Sequence, residues 1–171
     1  MIHFAVEKAS RVLVIAHVDP DGDAIGSLTA TGQALQQLGK RVTLVCDDAV
    51  PQRFHYLPLA TDVRRAPNTD IPYDLVIAVD CADEARMGWA YNSLPEPKPT
   101  LANIDHHVTN NRFGAFNIVR PEASSTAEVL CDFLADIGAT MTRGIAESLL
   151  TGIVTDTMGF RTTNVTANTL R

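Results

Sequence analysis

The sequence predicts an α/β domain with an open, mainly parallel sheet of about five strands and helices on both faces. Three observations predict it. The apolar runs Val12-Leu13-Val14-Ile15-Ala16 and Leu75-Val76-Ile77-Ala78-Val79 lack the polar alternation of a strand with one wet face, so both faces are covered. A helical stripe separates the first run from the next, and this strand, helix, strand order is the signature of a right-handed parallel crossover. The runs also end in Asp or His, which puts polar chemistry at the C-terminal edge of the strands, where open parallel sheets bind ligands.

In chain order, residues 2–10 form an amphipathic turn of helix, and Arg11 to Val18 is the first strand. Gly22 opens a helix to about Leu38: Ile25, Leu28, Gly32, Leu35 and Leu38 share one stripe, and Gly39 is a natural stop. Arg41 to Cys46 is the second strand, Pro51 to Leu59 a short helix, and Thr61 to Pro72 shows turn residues without a period. Asp74 to Asp80 is the third strand, followed by a helix near Asp83 to Tyr91. The proline-rich stretch from Asn92 to Pro99 can be neither helix nor central strand and makes a surface connection. Leu101 to Ile104 is the fourth strand and Ala115 to Val119 the fifth. Ser125-Thr126-Ala127-Glu128 has the capping-box pattern and opens a helix to about Ile137, ended by Gly138. The last helix covers Arg143 to Val154, with Ile145, Leu149 and Ile153 in register. The closing Asn168-Thr169-Leu170-Arg171 carries no stop signal, as in a chain cut from something longer.

Residues 1–171 suit one domain, large enough for its own core. A net charge of −6 argues against a nonspecific grip on nucleic acid, although bound cations would offset it locally. Cys46, Cys81 and Cys131 form neither a disulfide framework nor a zinc spacing, and read as small core residues in a reducing compartment. No stretch is apolar enough to span a membrane, and His3 and Glu7 interrupt any signal-peptide pattern, so a cytoplasmic protein is expected.

The stretch His17-Val18-Asp19-Pro20-Asp21-Gly22-Asp23 packs one imidazole and three carboxylates behind a buried strand. Such groups repel unless they take up protons or bind cations. The plain alternative is a polar turn with Asp19 and Asp23 as helix caps. Recurrence decides between them: Asp80 follows the third strand, Asp105-His106-His107 the fourth, and Asp156 comes just past the last helix. Oxygen and imidazole donors without thiolate favour Mn²⁺, or Mg²⁺, over structural zinc. The number of carboxylates points to two divalent cations about 3.5–4 Å apart that share one of them. Such a pair turns a bridging water into hydroxide near neutral pH and stabilises a phosphoryl group, so phosphoester or phosphoanhydride hydrolysis is the reaction class. No Gly-x-Ser-x-Gly elbow supports acyl transfer, and the first turn lacks the Gly-x-Gly-x-x-Gly of a dinucleotide site.

These motifs, in this order from about Val12 to Arg161, resemble the four motifs of the DHH phosphoesterase family. The segments around Asp105-His106-His107-Val108-Thr109-Asn110, Ser124-Ser125-Thr126-Ala127-Glu128 and Thr155-Asp156-Thr157 look like its oligoribonuclease (nanoRNase) and 3′-phosphoadenosine-5′-phosphate phosphatase branch. RecJ-type exonucleases and family II inorganic pyrophosphatases are its relatives. The resemblance implies that His17, Asp21 and Asp80 hold one metal, and that Asp23, Asp80, His106 and Asp156 hold the other. His107 would contact the scissile phosphate or aid the leaving group, with Asp105 and Asp19 orienting the ligands. Ser124, Ser125 and Thr126 would approach a substrate phosphate at a helix N-terminus, unless Ser125 merely caps its helix.

Two departures stand out. Met158 replaces a glycine common after the Asp-Thr pair, and the C-terminal DHHA1-type substrate domain has no counterpart in this chain. The expected substrates are short RNA or DNA oligonucleotides or small phosphonucleotides. The remaining partner expectations are that second domain and a second copy in a homodimer, with no membrane. Inorganic pyrophosphatase, or a metal- or nucleotide-binding module inactive without its second domain, are the alternatives.

Overall fold

The computed structural model describes residues 2–170, so the chain end at Arg171 lies outside the described residues. Five strands, β1 Arg11–Ala16, β2 Arg41–Val45, β3 Leu75–Val79, β4 Thr100–Asp105 and β5 Phe116–Val119, form one sheet in the order β2-β1-β3-β4-β5. Every pairing is parallel, with Val12 opposite Leu75, Val76 opposite Leu101 and Asp105 opposite Val119. The helices are α1 Ile2–Lys8, α2 Gly22–Gln37, α3 Trp89–Asn92, α4 Thr126–Asp136 and α5 Arg143–Asp156. The predicted fold class holds. Among the described residues no helix is long and apolar enough to cross a membrane.

Alternation along the strands divides the core into two layers. Val12, Val14, Ala16, Leu75, Ile77, Val79, Ala102 and Ile104 pack with α1, α2, α4 and α5. Leu13, Ile15, Val45, Val76, Ala78 and Leu101 face the other way, onto Met87, Ala90, Tyr91 and Leu94. Helices therefore lie on both faces, but unequally: three long ones and the seven-residue α1 on the first, and the short α3 on the second. Residues Val12 to Ala16 are fully buried, and each large apolar side chain so placed contributes about 1.5–3 kcal/mol relative to exposure.

Three sequence expectations need correction. The helix over Asp83 to Tyr91 is broken into a 3₁₀ turn, Glu84–Met87, and the single turn of α3. Gly88 between them has φ +62°, and a Cβ there would lie 2.4 Å from Asp47 Oδ2 and 2.6 Å from Val18. The segment from Pro51 to Leu59 holds only a 3₁₀ turn at Gln52–Phe54, with another at Ala60–Asp62. Finally, α5 runs two residues past Val154, so Asp156 is its last residue rather than lying beyond it.

α5 crosses α2 closely. A Cβ on Gly26 would meet Ser148 O at 2.4 Å, and one on Gly152 would meet Ala127 Cβ and Asp23 Oδ1 at 2.6 Å. Glycine inside a helix costs about 0.5–1 kcal/mol against alanine, and here it lets the end of α5 approach the start of α2. The backbone then reverses through Met158, Gly159 and Phe160, all at positive φ (51°, 74° and 63°). Met158 thus occupies a left-handed position, which accounts for the glycine expected there.

Candidate metal centre

Four elements deliver their polar ends to one place. β1 stops at Ala16, and the loop after it carries buried His17 into α2. Asp21 is the N-cap of α2: its Oδ1 accepts from the N–H groups of Asp23 at 2.9 Å and Ala24 at 3.0 Å. The capping role considered for Asp19 or Asp23 thus falls to Asp21, and Asp23 sits buried in the first turn. Asp80 follows β3 in a left-handed conformation, φ +60°, with its N–H donating to Ile104 O at 3.0 Å. Aspartate tolerates that conformation better than most residues, and it turns the carboxylate off the strand direction. Asp105 ends β4, His106 and His107 follow it, and α5 contributes Asp156.

Asp80 lies between two groups of donor atoms. Its Oδ2 is 3.4 Å from His17 Nε2, which lies 3.9 Å from Asp21 Oδ1. Its Oδ1 is 4.0 Å from His106 Nε2, which lies 4.0 Å from Asp23 Oδ2 and 3.5 Å from Asp156 Oδ2. The donor atoms of His17, Asp21 and Asp80 lie within 4.8 Å of one another, as do those of Asp23, His106 and Asp156, and those of Asp80, His106 and His107. Among the described residues no lysine or arginine forms an ion pair with Asp21, Asp23, Asp80 or Asp156; the basic groups beside these carboxylates are the imidazoles of His17, His106 and His107. These residues could bind divalent metal.

Both imidazoles present Nε2 inward. His106 Nδ1 lies 3.3 Å from Ala123 O, and His17 Nδ1 lies 2.7 Å from Val18 O. Arg86 Nη2 is also 2.9 Å from His17 Nδ1. That nitrogen cannot donate to Val18 and accept from Arg86 together, and only the tautomer donating to Val18 leaves the Nε2 lone pair for a metal.

The electrostatics mark the site as strained. Burial, then the Asp80 and Asp156 charges, push the Asp23 carboxyl well above the usual range, although two backbone N–H bonds oppose them. Burial also disfavours the Asp80 charge, but the hydrogen bond and charge of His17 and the Thr126 hydroxyl outweigh it and hold Asp80 low. The His107 imidazole is raised to about 9, first by its hydrogen bond to Asp105, with burial opposing. Burial and the Asp80 and Asp21 charges raise Asp156 against the pull of His106.

The supporting residues differ from expectation. Asp19 is exposed, and only its N–H engages, donating to Asp48 Oδ2 at 2.8 Å; Val18 orients His17 in its place. Asp105 does orient an imidazole: its Oδ1 accepts from His107 Nδ1 at 2.8 Å and its Oδ2 from Asn110 Nδ2 at 2.6 Å. Asn110 also reaches Asn103 Oδ1 at 2.8 Å, a half-buried contact that its place three residues after His107 only hints at. Ser124, Ser125 and Thr126 are fully buried and engaged within the protein rather than open to a phosphate. Ser125 caps α4 through Glu128 N–H at 3.1 Å, while Glu128 Oε2 accepts from the N–H and Oγ of Ser124 at 2.9 and 2.6 Å. The glutamate therefore reaches one residue beyond the cap that a capping box pairs with.

The model of the DHH family, N-terminal domain, matches residues 11–153. The chain is 38% identical over 161 residues to the bifunctional oligoribonuclease and PAP phosphatase NrnA of Thermus thermophilus, covering 94% of this chain and 47% of that protein. A probable bifunctional oligoribonuclease and PAP phosphatase NrnA of Streptococcus mutans is 26% identical, covering 91% of this chain and 48% of that one. The chain spans about half the length of these relatives. Among solved structures, an exopolyphosphatase-related protein from Bacteroides fragilis superposes with a TM-score of 0.86 at 26% identity, over 97% of this chain and 52% of that one. A putative family II inorganic pyrophosphatase of Methanococcus jannaschii, 19% identical with a TM-score of 0.64 over 93% of this chain and 53% of that one, shares the fold.

Proposed function

The chain belongs to the DHH family, and on that premise we propose that residues 1–171 are the metal-carrying domain of a phosphoesterase acting on short oligonucleotides or 3′-phosphonucleotides. One observation carries the reading: the Asp80 carboxylate directs Oδ2 toward His17 and Oδ1 toward His106, so it is the shared ligand of two sites. His17, Asp21 and Asp80 would hold one cation, and Asp23, Asp80, His106 and Asp156 the other. Two cations there would activate a water for attack and neutralise charge on the phosphoryl group. Mixed carboxylate and imidazole donors without thiolate support Mn²⁺, with Mg²⁺ second.

His107 is the proton donor. Asp105 holds its Nδ1 at 2.8 Å, so Nε2 faces outward on a side chain that is 43% exposed. In the metal-free protein the hydrogen bond to Asp105 raises the imidazole to about 9, so it is charged at neutral pH there. The charged ring can hydrogen-bond the phosphate and deliver a proton to the departing oxygen. Substrate grip falls to a second, DHHA1-type domain, for which the greater length of the relatives leaves room. Three unpaired cysteines, buried or half-buried, support a reducing compartment, the cytoplasm.

The experiment is Mn²⁺-dependent release of mononucleotides from a short RNA, or of phosphate from a 3′-phosphonucleotide, beside pyrophosphate and with Asp80→Ala as control. The nucleotide substrates should turn over and the variant should not. Turnover of pyrophosphate alone would move the chain to phosphoanhydride chemistry, and unchanged activity in the variant would remove the shared ligand.

A further inference from the structure

Thr126 is the first residue of α4 and is fully buried. Its backbone N–H donates to Asp23 Oδ2 at 2.6 Å, and the next N–H, of Ala127, donates to Asp23 Oδ1 at 2.9 Å. Its hydroxyl donates to Asp80 Oδ1 at 2.7 Å. The hydroxyl has one proton, and Asp105 Oδ1 at 3.4 Å is the poorer acceptor, so the bond goes to Asp80. One residue therefore touches both Asp23 and the carboxylate that lies between the two groups of donors, Asp80.

Its position is itself fixed. Ser125 caps α4, and Glu128 ties Ser124 to Asn168 Nδ2 at 3.1 Å and Thr169 Oγ1 at 2.9 Å. The N–H groups that face Asp23 are among those a helix N-terminus leaves unpaired, and the helix dipole favours an anion there. α4 thus presents a fixed platform on which Asp23 and Asp80, two like charges, are kept apart and aimed.

We propose that Thr126 is a positioning residue that couples the two cation sites by holding the Asp80 carboxylate with Oδ2 toward His17 and Oδ1 toward His106. Without the hydroxyl the carboxylate is free to turn and give both oxygens to the His17 site, leaving Asp23, His106 and Asp156 without their shared ligand. Outer hydrogen bonds of this kind are worth about 10–100-fold in metal affinity.

The test rests on the two-cation reading and separates its own failure from that one. Mn²⁺ is titrated into the full chain by calorimetry, and low-temperature electron paramagnetic resonance reads the exchange coupling of a manganese pair. The wild type should bind two equivalents and show a coupled pair; failure to do so overturns the two-cation reading itself. T126V should keep the first equivalent, weaken the second about 10–100-fold and lose the coupled signal at matched Mn²⁺. T126S, which keeps the donor, should restore both. Two equivalents of wild-type affinity in T126V would overturn the coupling role, as would a T126S as impaired as T126V, because packing alone would then explain the loss. Melting of the metal-free proteins checks the fold; should T126V not fold, Thr126→Cys, a weaker donor, takes its place with the same expected and overturning results.

Discussion

His17 and Asp21 reach the candidate metal centre from the loop between β1 and α2, whereas Asp23 and Asp156 stand on α2 and α5 themselves and His106 follows β4. The Asp21 side chain is 56% exposed and also caps α2. The Asp23 side chain is 1% exposed and clamped by the N-terminus of α4. One half can adjust and the other is prebuilt at an electrostatic cost, since burial and like charge work against ionised Asp23. A divalent cation bound there would offset that cost.

The largest effect is expected at Asp80, which both proposed cation sites would share. Asp80→Ala should lower activity by at least about 10³-fold, roughly 4 kcal/mol of barrier, and remove both manganese equivalents on titration. Loss of one equivalent alone would mean that the halves do not meet at Asp80.

Next comes the difference between the halves in the metal-free protein. Asp23→Ala leaves two buried N–H groups of α4 unpaired and should cost about 1–3 kcal/mol in urea unfolding. Asp21→Ala loses a cap and should cost about 1 kcal/mol. Equal costs, or a larger one for Asp21, would break the distinction between a prebuilt and an adjustable half.

His107 gives the pH test. Its charged form is favoured by folding, so its contribution to stability is full below about 6.5, the unperturbed value, and is lost as pH rises through about 9. Its ring resonances in the metal-free protein should therefore titrate near about 9 by nuclear magnetic resonance. Mn²⁺ would broaden these signals, so Mg²⁺ or another diamagnetic cation serves to move the midpoint down. The smallest effect is expected at Met158→Gly, which relieves a left-handed residue and should stabilise by about 1 kcal/mol without altering metal binding; a loss of stability would show that the exposed side chain packs.

The sheet was legible because its strands are unbroken apolar runs, and most of the centre because Asp80, His106 and the His17 loop follow those runs directly. What escaped depends on distant partners. The break at Gly88 is set by Asp47 and Val18, neither of which marks the helical pattern of residues 83–91. Asp21 reads as a ligand, and only the entry of α2 reveals it as the cap. Ser125-Thr126 signals a helix start, but that the start faces Asp23 and Asp80 follows from the packing of α4 against α2, where the close crossing by α5 at Gly152 completes the contact.

The shared carboxylate is tested most directly by a crystal grown with Mn²⁺ and measured near the manganese edge. Two anomalous peaks about 3.5–4 Å apart should appear, one beside His17 and Asp21, the other beside Asp23, His106 and Asp156, with Asp80 bridging them. A single peak, or a pair that Asp80 does not touch, would contradict the account.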